Sequence, residues 1–190
     1  MNKEFSQLLV CPHCQKEFKS ISDNKLQCSG CGFEVGLLDG IPIFTDVPAT
    51  IEPWEKVERG PEKGTAWRKS NWRFLNQEVK ALPHEALILD VGAGHGDFAD
   101  IFEGRSYFSL DIVPYAEVDL VCDLNLSIPF KAGTFDVVVL MNVLEHVYEN
   151  RGLVKNIAKI IKPGGKLILT IPFLLKVHQA PFDFSRYTSH

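Results

Sequence analysis

The run Leu87-Ile88-Leu89-Asp90-Val91-Gly92-Ala93-Gly94-His95-Gly96 joins an aliphatic stretch to three glycines at alternate positions. The aliphatic part reads as a buried strand, and the glycines as a tight turn against which a ligand can lie, because residues without Cβ leave the backbone bare. In an open α/β sheet, the carboxyl end of a strand is where nucleotide-like ligands bind. The spacing also speaks to the ligand's charge. A dinucleotide fingerprint asks for glycine or alanine at 97, where this chain has Asp97. Asp90 and Asp97 would repel a pyrophosphate and favour a cationic ligand instead.

Two further carboxylates fall at strand ends. Asp111 closes Tyr107-Phe108-Ser109-Leu110 and lies 21 residues after Asp90, the offset at which an acidic side chain accepts from ribose hydroxyls. Asp123 ends Val121-Cys122 and is suited to accept a hydrogen bond from an exocyclic amine. Taken singly, each aspartate also reads as a cap or turn residue, so it is their order along the chain that points to one site.

A second kind of chemistry precedes these. Cys11-Pro12-His13-Cys14 and Cys28-Ser29-Gly30-Cys31 form two thiolate pairs with 13 residues between them. Two such knuckles brought together by a hairpin make a tetrahedral zinc site with no open position, hence structural rather than catalytic. A module of roughly 35 residues buries too little apolar surface to fold alone, and a metal supplies the missing stability. His13 reads as a bystander, and Cys122 as a small buried apolar residue.

The elements that must position these groups follow from periodicity. Strand-like runs broken by Ser29-Gly30 and Asp39-Gly40 occupy the first 45 residues, and Pro48, Pro53 and Pro61 mark residues 46–64 as an irregular linker. Trp72, Leu75, Val79 and Leu82 recur at helical spacing and predict a helix ending before Pro83. Strands are predicted over 86–91, 107–111, 118–123, 135–141 and 165–171, with helices over 96–103 and 151–162 between them. Strands apolar on both faces, such as Val137-Val138-Val139-Leu140, imply a mostly parallel sheet covered on both sides.

These segments, over about Trp67 to Thr188, resemble the class I S-adenosylmethionine-dependent methyltransferases of the type 11-like group. The resemblance implies a Rossmann-like, doubly wound α/β fold. It also implies that Asp90, Gly92, Ala93 and Gly94 line the methionine part of the cofactor, that Asp111 and Ile112 hold the ribose, and that Asp123 and Leu124 frame the adenine. Phe135 to Val147 looks like the fourth-strand motif, with Met141 and Asn142 at the floor of the site. For a hydroxyl acceptor a general base near neutral pKa is useful, and His178 and His146 are the candidates. His146, with Glu145, reads equally as a helix start. The first 45 residues, through Leu8-Leu9-Val10-Cys11-Pro12-His13-Cys14 and Gly36 to Phe44, resemble the zinc-ribbon adaptors that activate methyltransferases.

The expectation is thus an N-terminal zinc ribbon (1–45), a linker (46–64) and a methyltransferase domain (65–190), binding S-adenosylmethionine and structural zinc. The family's sheet continues past strand five with a helix and a strand pair. The chain ends before them, so the expectation is either a fragment or a shortened domain whose strand-five edge is covered by a partner subunit. The acceptor is expected to be a small metabolite or a saccharide or lipid intermediate. An RNA methyltransferase and a non-catalytic cofactor-binding adaptor are the alternatives. The net charge of −4 gives no global basic field for a nucleic acid, although Lys63, Arg68, Lys69 and Arg73 make one stretch locally positive. No apolar run reaches the roughly 18 residues of a membrane span, and the amino terminus lacks a signal-like core. Paired cysteines of this kind fit a reducing, cytoplasmic compartment.

Overall fold

The computed structural model describes residues 3–45, 58–174, 176–178 and 181–188. The chain opens with a short helix, α1 (Lys3–Ser6), and a four-stranded antiparallel meander: β1 (Phe18–Ser22), β2 (Lys25–Cys28), β3 (Glu34–Leu38) and β4 (Ile41–Phe44). Helix α2 (Ala66–Lys80) follows, its first turn capped by the Thr65 hydroxyl, which accepts from the Arg68 N–H. The rest is β5 (Leu87–Val91), β6 (Ser106–Asp111), β7 (Leu120–Cys122), β8 (Phe135–Met141), α3 (Asn150–Ile160) and β9 (Ile161–Thr170). Among the described residues no helix is long and apolar enough to cross a membrane.

Among the described residues the nine strands belong to one sheet, in the order β1-β2-β3-β4-β7-β6-β5-β8-β9. From β4 onward every pairing is parallel. The central strands are buried on both faces, as their continuous aliphatic sequence requires. On one face Leu75 and Val79 of α2, with Phe98 and Phe102, pack against Ile88, Val137 and Val139. On the other, Leu153, Ile157 and Ile160 of α3 pack against Leu89, Val138 and Leu140.

The amino-terminal module is joined to this sheet by backbone as well as by packing. Ile43 and Phe44 of β4 pair in parallel with Val121 and Cys122 of β7. A second seam runs along Leu8–Val10: Val10 N donates to Pro129 O, and Lys131 N to Leu8 O. Phe5, Leu9, Leu26, Val35 and Phe44 belong to the same apolar cluster as the α3 side of the sheet. The ribbon thus shares a core with the larger region. The linker expectation falls mostly on residues 46–57, which lie outside the described residues.

Three expectations shift. The helix predicted over 96–103 is a single 3₁₀ turn, Ala99–Phe102. Gly96 at φ +69° and Gly104 at φ +77° bracket that stretch and leave room for one turn. The strand predicted over 118–123 shortens to β7: Asp119 N still donates to Ser109 O at 3.0 Å, but the Asp119 side chain takes the Ser109 N–H at 2.9 Å in place of a backbone carbonyl. Conversely, β9 begins four residues early: Ile161 already pairs with Phe135 before an irregularity at Pro163-Gly164-Gly165.

Phe5 is fully buried, its ring 4.8 Å from that of Phe108 on β6 and 5.8 Å from that of Phe130. Phe5→Ala should therefore cost about 3–5 kcal/mol of stability for the whole chain. In a denaturant titration the entire unfolding transition should move. A shift confined to the ribbon's signal, with the rest of the chain unchanged, would contradict a shared core.

Candidate functional site

Strand β5 ends in a bend clamped to its neighbour. Gly92 N and Ala93 N both donate to Leu110 O on β6, at 2.8 and 3.0 Å. Gly92 and Gly94 hold φ of +76° and +58°, a region costly for residues with a Cβ. A Cβ on Gly92 would sit 2.4 Å from Val143 Cγ2, so this glycine permits close packing beneath the bend. At Gly94 the nearest atom would be Asp97 Oδ2 at 3.9 Å, so the space over this glycine is open.

The carboxylates predicted at the strand ends surround this bend. Asp111 accepts from Gly94 N at 2.9 Å through Oδ2 and from Val113 N at 3.0 Å through Oδ1. Burial raises its pKa, against the pull of those N–H donors. Asp90 is 1% exposed, and its Oδ2 accepts from the Tyr107 hydroxyl at 3.1 Å. Burial pushes its pKa up to about 7; the Tyr107 bond opposes the rise, and the charges of Asp111 and Asp97 add to it. Asp97 is not the bare anion that the sequence suggested: Arg59 Nε and Nη2 donate to its Oδ2 at 3.0 and 2.5 Å.

A cleft of about 610 Å³ opens over the bend. It is lined by Asp90, Gly92, Ala93 and Gly94 from the end of β5, and by Asp111, Ile112, Asp123 and Leu124 from the ends of β6 and β7. Met141, Asn142, His146 and His178 complete that set, so every cleft residue named from sequence reaches one cavity. Asn142 sits at φ +57°, held by its N–H to Thr170 O at 2.9 Å and by Thr170 Oγ1, which donates to its Oδ1 at 3.1 Å. Asp123 also serves its local turn, with Oδ1 accepting from Asn125 N and Nδ2. Sequence reasoning missed Arg59, Trp67, His95, Tyr115 and Asn125. Arg59 stood in a stretch read as linker. His95 and Tyr115, 20 residues apart, stack at 4.0 Å between ring centroids, a pairing without a local signal.

Beyond Met141 the chain forms a 3₁₀ turn, Leu144–His146, over which the segment 181–187 folds. Phe184 N donates to Glu145 O at 2.8 Å, and His146 Nδ1 lies 2.6 Å from Phe182 O. This overlay buries Glu145 and raises its pKa to about 7, the desolvation outweighing the Glu145 N–H and the Arg186 charge that favour the anion. His146 and His178 meet with their Nε2 atoms 3.2 Å apart. Glu145 is a member of this group that the sequence reading left as a helix start.

The four cysteines of the ribbon also converge. All four Sγ atoms lie within 4.8 Å of one another, with Cys11–Cys31 at 3.6 Å and Cys14–Cys28 at 3.3 Å. Thiolates at about 2.3 Å from a tetrahedral zinc stand about 3.8 Å apart, so the set suits such an ion. Burial resists ionisation of Cys28, yet the N–H groups of Cys31 and Gly30 bring its pKa down to about 6, towards the thiolate a metal needs. The His13 ring packs edge-on against Phe33 and stays out of the sulfur cluster.

A parallel sheet ending in a glycine bend, flanked by two strand-end carboxylates, defines an α/β protein that binds its ligand at the carboxyl edge. Residues 66–187 match the model of the methyltransferase domain family, and the chain belongs to that family. It is 36% identical over 95 residues to an uncharacterized protein of Methanocaldococcus jannaschii, covering 45% of this chain and 40% of that one. It is 30% identical over 112 residues to the demethylmenaquinone methyltransferase of Corynebacterium urealyticum, covering 54% and 46%. The tRNA (carboxymethyluridine(34)-5-O)-methyltransferase of Mus musculus is 28% identical over 115 residues, covering 55% and 17%. The chain thus spans less than half the length of these curated relatives.

Two outcomes follow from the bend. Gly92→Ala combines a forbidden contact with Val143 and a strained φ, and should destabilise the fold by about 1–3 kcal/mol in chemical denaturation. The raised pKa of Asp90 means that folding takes up a proton there. That contribution to stability is complete below about pH 4, the unfolded carboxyl range, and is lost as pH rises through about 7. Asp90→Asn should therefore raise the thermal midpoint relative to the parent protein more at pH 8 than at pH 5. An equal difference at both values would count against a buried, proton-binding Asp90.

Proposed function

We propose that this chain is an S-adenosylmethionine-dependent methyltransferase acting on a hydroxyl of a small metabolite or of a saccharide or lipid intermediate. The observation that carries the reading is the open space above Gly94 with the Asp111 carboxylate beside it. A nucleoside can lie on that bare backbone and give its ribose hydroxyls to Asp111, which already accepts the Gly94 N–H. Asp90, Asp111 and Arg59-paired Asp97 make the surroundings net acidic, which favours a ligand carrying an ammonium and a sulfonium over one carrying phosphates. The zinc ribbon is proposed to hold a structural Zn²⁺ on Cys11, Cys14, Cys28 and Cys31.

When bound, S-adenosylmethionine supplies a methyl group on a positively charged sulfur. The protein's task is then to hold donor and acceptor in line and to exclude water. Asp90 and the Gly92–Gly94 backbone hold the donor end, Asp123 and Leu124 the base, and Met141 and Asn142 the floor. The acceptor oxygen forms its new bond to carbon as the carbon–sulfur bond breaks towards sulfur, and its proton must leave. His146 and His178, on the cleft wall past β8 and β9, are the side chains that could bear on that proton, either by taking it or by acting on the hydroxyl that releases it.

An RNA acceptor is disfavoured by the fate of the basic stretch. Lys63 pairs with Glu58, and Lys69 and Arg73 pair with Glu62, so much of its charge is neutralised locally. Strand β9 forms one edge of the sheet, and a partner subunit or further sequence is proposed to cover it.

Calorimetry with S-adenosylhomocysteine tests the cofactor reading. Asp111→Ala removes a charged acceptor and should weaken binding about 10- to 100-fold. Equal affinity in the parent and the variant, or none in the parent, would overturn the assignment. A methyl-transfer assay with radiolabelled donor over separate hydroxylated-metabolite and RNA pools then decides the acceptor class.

A further inference from the structure

At the far end of the cleft, three side-chain atoms of metal-ligating type converge on one point. His146 Nε2 lies 3.2 Å from His178 Nε2 and 3.7 Å from Glu145 Oε1, and His178 Nε2 lies 4.0 Å from the same oxygen. Outer partners set the tautomers. His146 Nδ1, at 2.6 Å from Phe182 O, must carry its proton to donate to a carbonyl, so its Nε2 presents a lone pair when the ring is neutral. His178 Nδ1 lies 3.2 Å from Asp183 Oδ2, without the alignment of a full hydrogen bond, and this carboxylate likewise favours the proton on Nδ1. Asp183 is itself fixed by Arg186, whose Nη2 donates to it at 2.6 Å, and by His178 N at 2.8 Å.

Glu145 supplies the independent observation. Its side chain is 0% exposed, and neither carboxylate oxygen has a hydrogen-bond partner in another residue. A carboxylate this buried is costly without a counter-charge, and each neutral imidazole can offer an Nε2 lone pair to the same point. A positive charge at the common centre relieves all three. The size is right: a triangle with sides of 3.2, 3.7 and 4.0 Å has a circumradius of about 2.1 Å. That equals the usual metal–nitrogen and metal–carboxylate distances of about 2.0–2.2 Å.

We infer that Glu145, His146 and His178 form a divalent-cation site at the acceptor end of the cleft. Two imidazoles and one carboxylate leave positions open, and because His146 and His178 line the cleft, those positions are reachable from it. Phe182 O and Asp183 are the outer partners that orient the two rings. The use of the ion rests on the methyl-transfer reading above. It would hold an oxygen of the acceptor beside the donor and lower that hydroxyl's pKa, with the proton passing to water. The histidines then act as ligands rather than as bases, and the acceptor class narrows to oxygen-bearing molecules able to enter a metal's coordination shell.

The test uses the full chain carrying one equivalent of zinc on its thiolates, titrated with Mn²⁺, a hard ion that sulfur sites bind poorly. Paramagnetic resonance should show about one Mn²⁺ bound per chain, and Co²⁺ should displace it. The bound ion should also speed the relaxation of solvent protons, as open positions filled by exchanging water require. His178→Ala, a half-exposed residue outside the sheet, and Glu145→Gln should each weaken Mn²⁺ at least tenfold. No binding by the parent chain, or binding that both variants leave intact, overturns the inference, as does a bound ion without effect on solvent relaxation. S-adenosylhomocysteine binding by the same samples reads the cofactor site separately. Loss of that signal with Mn²⁺ retained would sink the methyl-transfer reading and leave the cation site standing.

Discussion

The double hydrogen bond from Gly92 N and Ala93 N to Leu110 O is the contact on which the site depends. It turns the chain sharply at the end of β5 while the strand itself stays locked between β6 and β8. The turn needs positive φ, and the packing beneath it needs the absence of a Cβ facing Val143. Because the bend is tied to β6, it also fixes Asp111 beside Gly94. The ligand-binding edge is in this sense a property of the parallel ladder, with the loops contributing the finer shape.

The ribbon completes the sheet at its opposite flank. A parallel domain of this kind would leave β7 as an exposed edge, with unpaired N–H and C=O groups inviting aggregation. Here β4 takes that place, and the Leu8–Val10 seam and the Phe5 aromatic cluster bind the module further. The four thiolates sit at the outer turns of the meander, where a metal would stiffen a unit too small to hold its own core. A structural ion there would support the cleft through the strand order: β4 holds β7, and β7 carries the chain to Asp123 and Leu124.

The His146–His178 end of the cleft follows a different logic from the bend. The bend offers bare backbone and carboxylates that already accept hydrogen bonds. The far end gathers a buried carboxylate and two part-buried imidazoles. Its shape depends on the 181–187 segment lying across the 3₁₀ turn after β8, and an Asp183–Arg186 pair stiffens that segment. The pair orders the loop. It also turns His178 towards His146.

What the sequence determined by itself was local and periodic. Two-faced apolar runs, alternating glycines and knuckle spacing each reflect the physics of neighbouring residues, and they located β5, β8, α2, the bend, the thiolate set and the strand-end carboxylates Asp90, Asp111 and Asp123, while Ile112, Leu124, Met141 and Asn142 came from the resemblance to a family. Helix length after the bend was misjudged because apolar spacing at Phe98, Ile101 and Phe102 looks helical, whereas the glycines on either side limit it to one turn. Only tertiary structure decided the joining of ribbon and sheet, since the β4–β7 pairing links residues almost 80 positions apart and backbone pairing carries no residue code. The same holds for Arg59 with Asp97 and for Glu145 with its two histidines. Those contacts arise from strand order and from a segment folded back over a turn, and no short-range pattern records them.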